Sequence, residues 1–179
     1  LIDASMRVYI SEEIIKNAKY LEIISTATTG SDHIDNEQLN RQGIVLKTMK
    51  DDPEFIKNIT PAAELSWALL MALSRNLVSA VEHVRLGCWE REQYPGVMLQ
   101  GKRLGLIGCG RIGQWMSRYA NAFGMDVNGY DPYIQDWPKN IHKMDLSQLG
   151  ESSDFISIHV HLNEETRHLV DEKFLCNLS

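Results

Sequence analysis

The stretch LGLIGCGRIG, residues 104–113, constrains the fold more than any other part of the chain. Small and apolar residues run into Gly108, Gly110 and Gly113, with Arg111 and Ile112 between the last two. A short apolar run that ends in glycine suits a strand buried on both faces. RIGQWMSRYANAFG (111–124) then shows helical spacing closed by Gly124, and MDVNGYDP (125–132) reads as a second strand stopped by Pro132. Strand, glycine turn, helix and strand in that order make a parallel βαβ unit. GxGxxG alone occurs by chance, so this context gives it chemical meaning. Gly108 permits the tight turn, Gly110 lets backbone approach a phosphate, and Gly113 lets the helix pack close to the strand. The helix start offers N–H groups and partial positive charge, which makes the amides of Arg111 and Ile112 candidate donors to a pyrophosphate.

Asp131 completes the pattern. It lies 18 residues after Gly113, at the end of the second strand. A carboxylate there accepts both hydroxyls of an adenosine ribose and repels a 2′-phosphate. Pro132 and Tyr133 supply no Arg to hold such a phosphate, so the expected cofactor is NAD rather than NADP. A P-loop is excluded, because no Gly-Lys-Ser/Thr follows. A methyltransferase can also place an acid after its second strand, and the motif leaves that alternative open.

The remainder of the 179 residues fits the same class. Strands are expected at 6–10, 21–27 and 44–48, with helices at 11–20, capped by Ser11, and at 34–43, stopped by Gly43. TTGSDH (28–33) reads as a loop and 49–55, with Pro53, as a connection. A long helix begins at Pro61 with Thr60 as its candidate cap, carries Leu65, Leu69, Leu70, Leu73 and Leu77 at helical spacing, and shows a break near Arg75–Asn76. Residues 91–101 read as a loop, 144–150 and 170–178 as helices, and 154–160 as a strand. The fold class is α/β, a Rossmann-like doubly wound parallel sheet.

Composition narrows the partners. The chain is 44% hydrophobic and 23% charged, as a globular protein with a core should be. A net charge of −6 and no basic run give no bulk attraction to nucleic acid or anionic membrane. No apolar stretch is long enough to span a bilayer. Cys88, Cys109 and Cys176 are odd in number and far apart, which suits a reducing compartment, so a cytoplasmic location is expected. The first residue is Leu1, and both ends read as cut from something longer.

Four stretches carry a family resemblance: TTGSDHID (28–35), PAAELSWALLMALSRN (61–76), GKRLGLIGCGRIGQ…AFGMDVNGYDPY (101–133) and DFISIHVHLNEETRHLV (154–170). In order and separation, the region from about residue 20 to Ser179 resembles the D-isomer-specific 2-hydroxyacid dehydrogenases, which include D-3-phosphoglycerate dehydrogenase. The resemblance argues against a methyltransferase. It implies two Rossmann-like domains with a cleft between them. Residues 1–52 would be part of the substrate domain, and 53–179 the linking helix and the first part of the NAD-binding domain. It further implies that Thr29 and Gly30 line the cleft, where loop amides hold the substrate carboxylate. His159 and Val160 would pass under the cofactor, and Thr166 would close that side. The expected partners are a small 2-hydroxyacid or 2-oxoacid and a second copy of the chain, as a homodimer. His161 departs from a usual Pro, Leu65 from the His of many members, and Cys109 occupies a variable position.

The family's catalytic Arg, Glu and His come after the segment that ends at Ser179, so no catalytic residue is assigned. His159, His161 and His168 invite a metal reading, but no Cys or carboxylate falls beside them at ligand spacing, and no metal is assigned. His83 falls on the linking helix and His142 in a polar stretch; for His33 in the loop, a solvated or capping role outweighs substrate contact. Trp67 and Trp115 are expected in the core or an interface. The leading function is NAD-dependent oxidoreduction between a 2-hydroxyacid and a 2-oxoacid. The alternatives are an NAD(H)-sensing binding protein of corepressor type and an inactive fragment.

Overall fold

The computed structural model describes residues 1–3 and 6–178. Its contacts divide the chain into two units, Leu1–Ile59 and Thr60–Ser179.

The first unit runs β1 (Ile2–Asp3), α1 (Glu12–Asn17), β2 (Ile23–Thr26), α2 (Asn36–Gln42), β3 (Val45–Lys47) and α3 (Pro53–Lys57). The strands form a parallel sheet in the order β1-β2-β3, with Ile2 opposite Ser25 and Ile23 opposite Val45. Ile15, Ile24 and Leu39, from α1, β2 and α2, make its core with Ile10, Ile34 and Ile44. Asp35 caps α2 by accepting from the Gln38 N–H at 2.9 Å, and Gly43 ends it at φ 67°.

Three expectations fail here. Residues 6–10 form no strand beyond a single bridge from Ile10 to Ile34. Val8 and Tyr9 are 59% and 58% exposed, and the edge of β2 they would need is taken by β1. Ser11 stands at the N-cap of α1, but its side chain accepts no capping hydrogen bond. Residues 49–55 are not a plain connection. A 3₁₀ turn, Met49–Asp51, precedes α3, which starts at Pro53 under an Asp52 cap; proline at a first turn opens a helix rather than breaking it.

The second unit runs α4 (Pro61–Ser74), α5 (Leu77–Arg85), β4 (Arg103–Ile107), α6 (Arg111–Ala122), β5 (Asp126–Tyr130), β6 (His142–Lys143), α7 (Leu146–Ser152), β7 (Phe155–Ile158) and α8 (Glu172–Cys176). The expected break falls at Asn76, which is left-handed at φ 49° and donates from Nδ2 to the Pro95 carbonyl at 2.6 Å. Thr60 does not cap α4; its hydroxyl donates to Glu64 instead. β6 was not legible in the sequence, since two residues carry no periodicity.

All four strands are parallel, in the order β6-β5-β4-β7. Alternation along β4 explains its unbroken apolar run. Leu104 and Leu106 share a core with Leu70 of α4 and with Met116 and Ala120 of α6. Ile107 joins Leu149 of α7 and Phe174 of α8 in a separate cluster. Gly105 sits so close to α7 that a Cβ there would lie 2.7 Å from Leu149. Both faces are thus covered, as a doubly wound sheet requires. Trp67 meets Phe123 with ring planes tilted by 59° and centroids 5.0 Å apart, and packs on the first of these cores, together with Trp115. No helix among the described residues is long and apolar enough to cross a membrane.

All four tryptophans lie in the second unit, so their fluorescence reports its unfolding. Leu106→Ala, at a fully buried position, should cost about 2–5 kcal/mol in urea denaturation followed this way. A loss below about 1 kcal/mol would contradict the packing assigned to β4.

Candidate functional site

The order β6-β5-β4-β7 places the unit's first strand inside the sheet, with its successors on one side and β7 on the other. The carboxyl ends of β4 and β7 therefore flank the point where the winding reverses, which is where open parallel sheets bind ligands. Gly108 follows β4, and His159 and Val160 follow β7.

Each glycine of the motif has its own reason. Gly108 is left-handed at φ 94°, and a Cβ on it would lie 2.8 Å from the His159 carbonyl and 3.0 Å from the Val160 nitrogen. Gly113, in the first turn of α6, would place a Cβ 2.3 Å from the Gly108 carbonyl oxygen. Gly110 is different. It is the N-cap of α6 in an extended conformation, and a Cβ there would meet nothing within 4 Å. The fold makes no demand on Gly110; the space beside it is open.

The amides that open α6 have no acceptor within the helix, whose first ladder bond runs from the Gln114 N–H to the Gly110 carbonyl at 2.9 Å. Those of Arg111 and Ile112 stand beside the open space, and no acidic side chain occupies the first turn. Such an uncapped helix start beside open space is suited to seat an anion.

Asp131 is brought to this turn. One carboxylate oxygen accepts from the Cys109 N–H at 2.9 Å and the other from the Tyr133 N–H at 3.0 Å. Sequence reasoning missed this bracing role. Each oxygen has a second lone-pair direction, so the carboxylate can still accept ribose hydroxyls. The Cys109 side chain turns inward, fully buried, and lies where a Cβ on Gly129 would come within 2.4 Å of its sulfur. Burial, with the Asp131 charge adding to it, pushes its thiol up to about 12.

At the end of β7, the His159 N–H continues the ladder to the Ile107 carbonyl at 2.7 Å. Its Nε2 pairs with the Ser157 hydroxyl at 2.8 Å. The two positions alternate onto one face, a signal present in the sequence but not used. Burial pushes the imidazole down to about 4, so it is neutral at pH 7. Val160 packs against the Ile107 cluster. Thr166 closes the loop after β7: its hydroxyl donates to the His161 carbonyl and accepts from the Asn163 N–H at 2.9 Å. His159, His161 and His168 do not converge as a metal group.

In the first unit, Thr29 and Gly30 lie in the loop at the carboxyl end of β2. The Thr28 hydroxyl pairs with Thr26 at 2.9 Å and donates to the Gly30 carbonyl at 2.6 Å, which fixes the loop's path. His33 is 7% exposed rather than solvated, and its backbone carbonyl accepts from the Ile10 N–H at 2.8 Å.

The thiols give a direct check on the glycine turn. At pH 8 a thiol reagent should label exposed Cys176 in the native chain and leave Cys109 untouched until the chain is unfolded. Comparable labelling of both without denaturant would mean the turn is open.

Comparison with known proteins agrees with this geometry. Residues 3–54 match the catalytic domain of the D-isomer specific 2-hydroxyacid dehydrogenases, and residues 67–179 match their NAD binding domain. The chain is 36% identical over 168 residues to D-3-phosphoglycerate dehydrogenase of Methanocaldococcus jannaschii, covering 90% of this chain and 30% of that protein. It is 36% identical over 170 residues to hydroxypyruvate reductase of Thermotoga maritima, covering 94% of this chain and 54% of that protein. The chain thus spans about a third to a half of the length of these curated relatives. D-lactate dehydrogenase of Aquifex aeolicus, solved with NAD and lactic acid, superposes with a TM-score of 0.86 at 28% identity, over 99% of this chain and 53% of that one. The chain belongs to the D-isomer specific 2-hydroxyacid dehydrogenase family.

Proposed function

We propose that this chain is the part of an NAD-dependent oxidoreductase that seats the dinucleotide and contributes to holding a small 2-hydroxyacid or 2-oxoacid. The observation that carries the reading is the open space at Gly110, on a helix start at the reversal point of the sheet. Gly108 and Gly113 are required by the chain's own packing, whereas Gly110 is required only by something that comes from outside. The amides of Arg111 and Ile112 hold the pyrophosphate, and Asp131 takes the adenosine ribose. His159 and Val160 form the far wall, and Thr166 shapes the loop that follows. In the first unit, residues 1–52 serve the substrate: the amides near Thr29 and Gly30 hold its carboxylate. The cofactor unit starts with the linking helix at Thr60 rather than at the expected residue 53, because α3 groups with the first unit.

NAD supplies the hydride acceptor when bound. The chain's own residues bind, orient and exclude water. Neutral His159 adds no positive charge beside the site, and its low proton affinity makes it a poor proton carrier at pH 7. No described residue is assigned to the proton transfer. Free thiols at Cys88, Cys109 and Cys176 support a cytoplasmic location. A homodimer is supported by the apolar stripe on α4, where Leu65, Leu69 and Leu73 are 62%, 62% and 72% exposed. Sedimentation of the full-length protein should show a dimer that Leu69→Glu dissociates; a monomeric parent would end this part of the reading.

The nucleotide seat is tested by two substitutions. Gly110→Val should abolish saturable NADH binding while lowering the urea midpoint far less than Gly113→Val, since its side chain enters open space at the N-cap. Gly113→Val should lower stability. Unaltered NADH affinity in Gly110→Val would reduce the turn to a structural feature. Asp131→Asn keeps an acceptor for the Cys109 N–H but loses the charge. It should narrow the preference for NADH over NADPH by about tenfold, the worth of one charge-assisted hydrogen bond. An unchanged ratio would remove the ribose role. NADH oxidation by 2-oxoacids in the full-length protein tests the reaction, and saturable binding without turnover would point to a sensing protein.

A further inference from the structure

α5 ends in a glycine turn that fixes which side chains meet. Gly87 is left-handed at φ 82°. Its N–H donates to the Val84 carbonyl at 3.0 Å, and the Cys88 N–H donates to the His83 carbonyl at 3.2 Å. In this paired arrangement the residue just past the glycine packs on the residue in the helix's last turn, and the contact is ordinarily apolar. Here that pair is His83 and Cys88. Glu90 then turns back, so that its Oε2 lies 2.8 Å from His83 Nε2. The ligand atoms of His83, Cys88 and Glu90 all fall within 4.8 Å of one another.

A second observation concerns His83 Nε2. The Glu90 N–H donates to this same nitrogen at 3.3 Å. The amide requires a lone pair there, while the Glu90 carboxylate at 2.8 Å requires a proton. One nitrogen cannot offer both. Unprotonated, it faces the carboxylate lone pair to lone pair; protonated, it faces the amide hydrogen to hydrogen. A cation between Nε2 and the carboxylate replaces that lone-pair repulsion with two ligand bonds; it takes the one lone pair of Nε2, so the Glu90 N–H turns to solvent. The neighbours already orient the set. The Tyr94 ring stands 5.0 Å from the His83 ring, and the Trp89 N–H donates to Glu90 Oε2 at 3.1 Å.

We propose that His83, Cys88 and Glu90 form a zinc site that clamps the segment after α5 onto the helix end. Imidazole, thiolate and carboxylate together suit Zn²⁺, not the oxygen-seeking Mg²⁺ or Ca²⁺. Zinc bonds of about 2.0–2.3 Å set tetrahedral ligand atoms about 3.3–3.6 Å apart, so side-chain rotation closes the site. The Cys88 thiol releases its proton to solvent as the sulfur–zinc bond forms. His83 Nε2 and one Glu90 oxygen take two further positions, and water takes the fourth. The His83 side chain is 14% exposed and that of Glu90 61%, so the ion enters from solvent on the carboxylate side.

Cobalt(II) reads the site optically. The chain carrying Cys176→Ser, freed of metal by chelation, should develop a thiolate-to-cobalt charge-transfer band that saturates at one equivalent and is displaced by Zn²⁺. Cys88→Ser in that background should lose the band. His83→Gln, with its far-ultraviolet circular dichroism unchanged, should lose the zinc-induced rise in Tm seen in the parent. The proposal is overturned if no saturable band develops with Cys88 present, if the band keeps its intensity in Cys88→Ser, or if zinc raises the Tm of His83→Gln as much as that of the parent.

Discussion

The site rests on one backbone contact. The turn after β4 passes within van der Waals distance of the chain leaving β7, so close that any side chain on Gly108 would strike the His159 carbonyl. This contact sets the depth of the turn, and the Gly113 contact sets the approach of α6 to it. Move either apart by a methyl group and the helix start no longer faces the gap between the two strand ends. Main-chain groups are the donors here, so their positions are fixed by the sheet rather than by rotamers. The cost of ordering them is met during folding, not during binding.

Asp131 joins that frame to the next strand. Its two hydrogen bonds tie the glycine turn to the start of the segment after β5, so the group proposed to discriminate between nucleotides also braces the turn proposed to hold them. One consequence is that affinity and preference cannot be altered independently by truncating this residue. Cys109 shows the same economy: it fills the space that Gly129 leaves open and lends the turn a side chain that no solvent reaches.

The sequence showed the β4–α6–β5 unit almost to the residue because three independent signals coincide there: a buried run, a glycine turn and an amphipathic helix closed by Gly124. It misplaced the strand at 6–10 because β-propensity cannot say which segment claims a vacant edge; Ile2–Asp3 claims it. Ser11 and Thr60 have the right chemistry for caps, but capping depends on a side-chain rotation that sequence does not encode. Among candidate site residues, the positions of Gly108, Gly110, Gly113 and Asp131 in one turn were legible because spacing determines them. The Asp131–Cys109 hydrogen bond was not, since it depends on the register of two strands, whereas the Ser157–His159 pair follows from alternation along one strand. His83, Cys88 and Glu90 were passed over for a related reason. They meet only because Gly87 turns the chain left-handed, and a lone His on a helix carries no such information.

The chain is acidic, with a net charge of −6, yet the ligand proposed for it is an anion. Net charge is the wrong scale, because at physiological salt the field that matters acts over about 8 Å. The local arrangement at helix starts is informative. α2, α3, α7 and α8 are capped by their own Asp35, Asp52, Asp145 and Asp171, and α1 and α4 carry glutamates in their first turns. α5 follows directly from α4 through the turn at Asn76. At each capped or acidic start, the helix's own carboxylates occupy the positive end or lower its potential, and an external anion would compete with them. α6 begins with Gly110, Arg111 and Ile112, with no side-chain cap and no acid. Its first turn carries no acidic side chain over the amides, and a cap such as Asp at position 110 would stabilise the helix by filling the seat proposed for the pyrophosphate.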